Sequence, residues 1–340
     1  MSDDLLGGAL RLSPIFRELR AEHLNGGTPA EGHSYSAEHK TGSAPSISVV
    51  INTLNEERNI AHAIMSVRSW VNEVVVVDME SDDQTAEIAR SLGAKLFSYP
   101  RVINFDAARV AGVEHATCDW ILLLDADEVI PFQLSRRLLG VAATNEADAF
   151  SIPRLNYFSG EPLYNAGFGP EQDRQLRFYR KGSVSLNDVL HSHIQAKSGT
   201  RVVKMSYRPG TCIVHFSYKD SAQFVSKLNK YTSLTAWQRR DSARWKDRSL
   251  VVASSVEFLK RYIWKRGFLS GAPGLYFSFM MAAYRMTQAF KLREIQLRCS
   301  EESATARYQE IARGIVQEYE SVGNASDLAS TESRGRQSHD

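Results

Sequence analysis

Two aspartates separated by one residue, Asp125-Ala126-Asp127, follow the apolar run Trp120-Ile121-Leu122-Leu123-Leu124 and precede Glu128. On an extended backbone, side chains at i and i+2 point to the same side. Two carboxylates placed this way can share a hard divalent cation, which can in turn hold a diphosphate. Two further acidic groups stand in comparable places. Thr53-Leu54-Asn55-Glu56-Glu57 closes a β-branched run, and Asp78, with Glu80-Ser81-Asp82-Asp83 behind it, closes the apolar run 74–77. Carboxylates gathered without a cation or donor groups repel one another, so the pattern calls for one or the other. A lone Asp-x-Asp triplet is common in solvated turns. The apolar run before this one, and its place third in a series of acidic run ends, set it apart. The glycine fingerprints for phosphate are missing: the first strand-to-helix turn has no G-x-G-x-x-G, and no Walker lysine motif occurs.

The elements that must position these residues follow from periodicity. Residues 47–53 read as a buried strand. Asn55 is placed to cap a helix whose apolar positions Ile60, Ile64 and Val67 fall at i, i+4 and i+7. A second strand, 74–77, ends at Asp78. Ser81 and Gln84 form a capping-box pattern for a helix to about Leu92, with Gly93 as its stop. Residues 94–98 read as a third strand, 105–115 as a helix and 120–124 as a fourth strand. This alternation predicts a parallel sheet with helical crossovers, and ligands of such sheets bind beyond the carboxyl ends of the strands. After about Asp148 the alternation gives way to short strand-like pieces, and 221–298 read as helical, basic and aromatic.

The chain has 340 residues, 43% hydrophobic and 24% charged, with a net charge of +2. Between Lys219 and Arg298 there are 16 Lys plus Arg against 5 Asp plus Glu, a surplus of 11, which leaves −9 for the remainder. Such a separation of charge points to an anionic partner for the C-terminal part. Cys118, Cys212 and Cys299 form no disulfide or zinc pattern and favour a reducing compartment. The start, Met1-Ser2-Asp3-Asp4, is acidic where an export signal is basic, and the apolar stretch 268–284 is short for a spanning helix and contains Gly271, Pro273 and Gly274. A cytoplasmic protein is expected.

Several segments together resemble family 2 glycosyltransferases: Val50-Ile51-Asn52-Thr53-Leu54-Asn55-Glu56-Glu57-Arg58-Asn59-Ile60, Val75-Val76-Val77-Asp78 with Ser81-x-Asp83-x-Thr85, and 119–128 around the aspartate pair. Later pieces resemble one bacterial subgroup, the lipopolysaccharide core β-glucosyltransferases. They are Asp173-Arg174-Gln175-Leu176-Arg177-Phe178-Tyr179-Arg180, His191, His215-Phe216-Ser217-Tyr218, and Arg261-Tyr262 with Arg266-Gly267-Phe268. The resemblance implies an α/β fold of the GT-A type, a Rossmann-like, mostly parallel sheet with flanking helices, plus a helical basic C-terminal region. It implies an inverting, metal-dependent transfer of a sugar, glucose in that subgroup, from a UDP-sugar to a hydroxyl of a lipopolysaccharide core, oligosaccharide or related glycolipid, with Mn²⁺ or Mg²⁺ as cofactor. The expected organisation is a disordered arm at 1–44 and a catalytic domain at 45–218, divided into a nucleotide-sugar half (45–148) and an acceptor half (149–218). A basic membrane-proximal region (219–299) and a mostly disordered tail (300–340) follow.

Residue by residue, the resemblance places Thr53, Asn55, Glu57 and Asp78 around the nucleoside, with Asp78 accepting from the uracil N–H. Arg109 is a candidate for diphosphate or base, or else a solvated helix arginine. Asp125 touches ribose or metal, and Asp127 binds metal. Asp173 is the first candidate for the general base that takes the acceptor proton. Gln175, Arg177, His191 and His215 fall on the acceptor or diphosphate side, and one of His191, His193 and His215 is a candidate metal or phosphate ligand. The chain departs from the family at Ser192, where the subgroup carries Glu, so the base role can also fall to Asp188 or Glu171. It departs again at Met79-Glu80, Val110 and Leu54. Two other readings stay open: transfer to a polyprenyl phosphate, whose acceptor needs no strong base, and a catalytically silent relative. Lys260, Arg261, Lys265 and Arg266 before the stretch 268–284, and Arg285, Lys291, Arg293 and Arg298 after it, suit a segment lying on an anionic membrane at the cytoplasmic face of the inner membrane, or else a helical pair with solvated charges. No nucleic-acid motif accompanies the charge.

Overall fold

The structure is a computed structural model that describes residues 45–101, 105–186, 194–241 and 247–335. The expected arm at 1–44 lies outside the described residues, as do Asp188, His191, Ser192 and His193. The chain divides into two compact units. The first runs to Ser217 without residues 165–167; the second takes Asn165–Gly167 and the chain from Tyr218 onward.

Strand β1 (Ile47–Thr53) is buried along its whole length, as its continuous β-branched sequence requires of a strand covered on both faces. It pairs in parallel with β2 (Glu73–Asp78) on one side and β4 (Trp120–Asp125) on the other, and β3 (Lys95–Ser98) extends the sheet beyond β2. The register sets Thr53 beside Asp78 and Asn52 beside Asp125. The acidic strand ends therefore lie in one row. Helices α1 (Ile60–Met65), α2 (Thr85–Ser91) and α3 (Phe105–His115) connect these strands.

The second half of the unit is built from β5 (Glu128–Val129), α4 (Phe132–Thr144), β6 (Ala149–Phe158), β7 (Glu161–Pro162), β8 (Arg174–Arg180), β9 (Val184–Ser185), β10 (Gln195–Ala196), β11 (Val202–Lys204) and β12 (Ile213–Tyr218). The main sheet runs β3-β2-β1-β4-β8-β6-β12-β5, with β7 and β11 also on β6. Pairing turns antiparallel at β4–β8 and stays so at β8–β6 and β12–β5. The expected α/β architecture is present as a mixed sheet, parallel where the nucleotide half is expected and mainly antiparallel beyond it.

The core lies on both faces of the sheet. Ile47, Val49 and Ile51 pack with Ile60, Ile64, Leu134 and Leu138 on one side. Val50, Val75 and Val77 pack with Ala108 of α3 and with Tyr179 on the other. On that second side a Cβ at Gly112 would lie 2.5 Å from Val50 Cγ1 and 2.9 Å from Val77 Cγ2, so only glycine lets α3 rest directly on β1 and β2.

Two capping expectations are corrected. Asn55 adopts a left-handed backbone, φ 56°, and its side chain accepts from the Asp82 N–H at 2.8 Å; the cap position of α1 falls to Asn59. The Ser81 hydroxyl donates to Asp78, and Asp83 Oδ1 accepts from the Thr85 N–H, so no Ser81–Gln84 capping box forms. Both residues face a neighbouring loop whose acceptors and donors compete with the helix end.

The second unit contains α5 (Ser221–Arg239), capped by Asp220, whose carboxylate accepts from the Gln223 N–H at 2.7 Å. It continues with α6 (Asp247–Leu259), a π-helical turn (Lys260–Trp264), a 3₁₀ turn (Gly267–Ser270), α7 (Gly271–Gln296) and α8 (Glu301–Gly335). Helices α5 and α6 both pack on α7. Helix α8 occupies the tail: its first half, rich in the strong helix formers Glu, Ala, Arg and Gln, is the helix that the sequence offers there, and it runs on past Val322, where disorder is expected. No helix of the described residues is long and apolar enough to cross a membrane.

Candidate active site

The carboxyl ends of β1, β2 and β4 bring the acidic segments together. Asp125 closes β4, and its side chain is 21% exposed. Arg109, one turn before Gly112 on α3, reaches it with Nη2 at 2.6 Å. The same guanidinium spends Nε on Asn52 (3.2 Å) and Nη1 on Asp106 (2.7 Å). Arg177, buried in β8, donates from Nη2 to the other Asp125 oxygen at 2.6 Å. The antiparallel β4–β8 register, with Leu122 opposite Phe178, delivers it there. Burial alone would raise the Asp125 pKa; the charges of Arg109 and Arg177 outweigh it and hold the carboxyl well below the usual range.

The alternation of charge continues inward. Glu128, fully buried, accepts from the Asp125 N–H (3.0 Å) and pairs with Arg154 Nη1 (3.1 Å), while Arg177 Nη2 lies 3.8 Å away. Arg154 Nε in turn holds Asp173 Oδ2 at 2.9 Å. Three guanidinium groups thus interleave with Asp125, Glu128 and Asp173. Burial works against charge on Arg154 and Arg177, but the flanking carboxylates raise both pKa values. For Asp173, burial pushes the pKa up and Arg154, with the donors of Asn156 and Gln175, overcomes it, leaving the pKa lowered.

Asp127 stands apart from this chain. Its backbone carbonyl accepts from the Phe216 N–H at 3.0 Å, and β12 places His215 opposite Glu128. His215 Nε2 lies 3.4 Å from Asp127 Oδ2. The other ring nitrogen, Nδ1, lies 2.6 Å from Asn156 Oδ1. Both donor contacts of Asn156 Nδ2 are taken, by the Phe168 carbonyl (2.6 Å) and Asp173 Oδ2 (2.8 Å), so its oxygen can only accept. Nδ1 therefore carries the proton. Nε2 is then the nitrogen turned toward the Asp127 carboxylate.

That mixed nitrogen and oxygen pair fits a divalent cation such as Mn²⁺. No group of three or more His, Cys, Asp or Glu side chains suited to a metal occurs among the described residues. A cation held here would take further ligands from a bound diphosphate, as hard cations in phosphate sites do.

Beyond the ends of β1 and β2, two loops are sewn together. The Asn55 N–H donates to Ser81 Oγ (2.9 Å), the Glu57 N–H to Asp83 Oδ2 (3.1 Å), and the Gln84 N–H to Glu57 Oε2 (3.3 Å). Asp78 is buried, and Ser81 donates to it twice, from N–H (3.1 Å) and Oγ (2.6 Å). The Thr53 hydroxyl is buried at the end of β1 with no hydrogen-bond partner among the described residues, an orphan that a bound polar group would satisfy.

Residues 48–204 match the family model described as Glycosyl transferase family 2. The match spans 157 residues, less than half of the chain. An uncharacterized glycosyltransferase of Rickettsia typhi is 29% identical over 270 residues, covering 77% of this chain and 91% of that protein. The SPbeta prophage-derived glycosyltransferase SunS of Bacillus subtilis is 27% identical over 59% of this chain and 47% of its own. Among solved structures, glucosyl-3-phosphoglycerate synthase of Mycobacterium tuberculosis, in complex with Mn²⁺, UDP and glucosyl-3-phosphoglycerate, aligns at 26% identity with a TM-score of 0.29. That alignment covers 34% of this chain and 44% of the synthase, less than half its length.

The structure brings Asp125, Asp127, Arg109, Arg177, Asp173, Gln175 and His215 together through hydrogen bonds and the close Asp127–His215 contact. Thr53, Asn55, Glu57 and Asp78 sit at the neighbouring strand ends. His191 is outside the described residues. Arg109 and Arg177, expected toward base, diphosphate or acceptor, are occupied as clamps on Asp125. Of the two aspartates, Asp127 has only His215 as a side-chain partner among the described residues. Sequence reasoning gave no role to Arg154 and Asn156. The available signal was a charged and an amide side chain at i and i+2 within the mostly apolar strand β6.

Proposed function

We propose that this chain transfers a sugar from a UDP-sugar, glucose by its resemblance, to a hydroxyl of a lipopolysaccharide core or related glycolipid with inversion of configuration. The observation that carries the reading is the Asp127–His215 pair, an imidazole nitrogen 3.4 Å from a carboxylate oxygen just beyond the end of β4. A divalent cation held by Asp127 and His215 would neutralise the charge that develops on the departing diphosphate. Asp125, fixed by two arginines, keeps the β4 end rigid. Asp78 and Thr53 offer an acceptor and a hydroxyl to the nucleoside. Asn156 fixes the His215 tautomer and at the same time positions Asp173, which accepts the hydrogen of the incoming hydroxyl.

One observation favours a second reading. A lowered pKa weakens Asp173 as a base. An acceptor that is already anionic, such as a polyprenyl phosphate, needs no base, and the Asp127–His215 pair serves it equally well.

The test is calorimetric titration of UDP into the protein with and without Mn²⁺, for wild type and Asp127→Ala. Metal-dependent UDP binding that the substitution abolishes, with the thermal transition retained, is expected. Equal UDP affinity in the two proteins with Mn²⁺ present would sink the assignment. Absence of any nucleotide binding in the wild type would turn the reading toward a catalytically silent relative.

A further inference from the structure

Helix α6 is built inside out. Its buried positions are Ser254 (5% exposed) and Glu257 (8% exposed), the latter paired with Arg261 at 2.7 Å. Its exposed positions are Val251 (63%), Val252 (62%), Val256 (47%) and Leu259 (44%). Steps of three, four, seven and eight residues place these four side chains on one face, opposite the Ser254–Glu257 stripe that faces the packed side. A water-facing helix has the reverse pattern, so this face is made to meet something apolar.

The apolar surface continues in sequence. In the turns that follow α6, Ile263, Trp264, Phe268 and Leu269 are half or more exposed, Trp264 at 72%. Phe279 on α7 is 64% exposed. Lys260 and Arg266, both exposed, stand among these residues, within a region that carries 11 surplus positive charges.

We infer that the surface formed by α6 and the turns 260–270 docks on an anionic lipid bilayer, lying in its interface. All of these residues belong to the second unit and take no part in the chemistry of the transfer. Apolar side chains, an exposed indole and interspersed cations are the three features of an interfacial segment. Each cation gains from a negative surface, and the valines, leucines and Trp264 enter the acyl boundary. A second copy of the chain is the poorer occupant. Self-pairing through this face would set Lys260 and Arg266 of two copies close together, where like charges repel. No helix of the described residues is long and apolar enough to cross, so attachment through this surface lies in the membrane plane.

The experiment is sedimentation of the full chain with vesicles of phosphatidylcholine alone or mixed with phosphatidylglycerol, followed in parallel by tryptophan fluorescence. Binding to the mixed vesicles, weakened by salt, with a blue shift that Trp264→Phe removes, is expected. Charge reversal by Lys260→Glu with Arg266→Glu, at exposed positions that leave the fold intact, should lower vesicle affinity about tenfold or more. Val252→Asp with Leu259→Asp should do the same while leaving metal-dependent UDP binding unchanged. Vesicle binding unaffected by either pair, or no binding by the wild type, overturns the proposal. So does a wild-type dimer that the Val252→Asp, Leu259→Asp pair converts to a monomer, since the face would then belong to a second copy. Loss of UDP binding with vesicle binding intact would leave this inference standing and strike only the reading of the nucleotide site.

Discussion

Asp173 accepts from Arg154 and Asn156 at one oxygen and from Gln175 at the other. These contacts keep it ionised further into acid than a free carboxyl, whose reference value is 3.8. A base must be ionised to act, so a lowered pKa moves the acid limb of kcat/KM downward: activity should persist as pH falls through 4, provided the protein stays folded. Replacing Asp173 with Asn keeps the shape and removes the base. With a hydroxyl acceptor, kcat should then fall by about 10²-fold or more, with UDP affinity nearly unchanged. Full activity in that variant would move the acceptor to a phosphate. Asp125 and Asp127 were legible in the sequence because they lie two residues apart directly behind an apolar strand. Arg154 and Asn156 were not, because they reach the site only through the β6–β8–β4 pairing, and nothing local fixes that register.

Helix α3 shows how an element transmits a packing constraint to the site. Gly112 lies against Val50 and Val77, and Arg109, one turn earlier, holds Asp125. A valine at 112 must push the helix off the sheet. Gly112→Val should cost about 2 kcal/mol, in the range of overpacked cores, and weaken UDP binding by displacing the Arg109 clamp. Urea denaturation reads the first effect and calorimetry the second; an unchanged midpoint would mean that the valines yield instead. The boundaries of β1 and α3 were legible in sequence, since apolar periodicity decides them. The caps were less so: Asn55 and Ser81 were read as helix ends, whereas their hydrogen bonds go to the loop alongside. The inverted face of α6 was missed too, because burial, not composition, defines it.

On the scale of the whole molecule, the surplus of positive charge in residues 219–298 was visible in residue counts alone. Stability against acid was not. Glu73 is buried and receives hydrogen bonds from Ser48 (2.5 Å), Lys95 (2.5 Å) and Thr117 (2.6 Å). Burial opposes its ionisation, but these donors bring its pKa down from 4.5 to about 2. The folded pKa lies below the unfolded one, so the contribution is fully present above pH 4.5 and is lost as pH falls toward 2. It amounts to about 3 kcal/mol. Glu73→Gln should remove much of the slope of stability against pH over that window, measured by urea midpoints; an unaltered slope would assign acid sensitivity elsewhere. The interleaved charges of the site also have a meaning in time. On a growing chain, Asp125 and Glu128 are made before Arg154 and Arg177, and His215 arrives later still. Until β6 and β8 have been synthesised and paired, Glu128 has neither of its arginines and resists burial. An incomplete chain is therefore held open at Glu128, and the interleaved array closes only when synthesis of the first unit is almost finished.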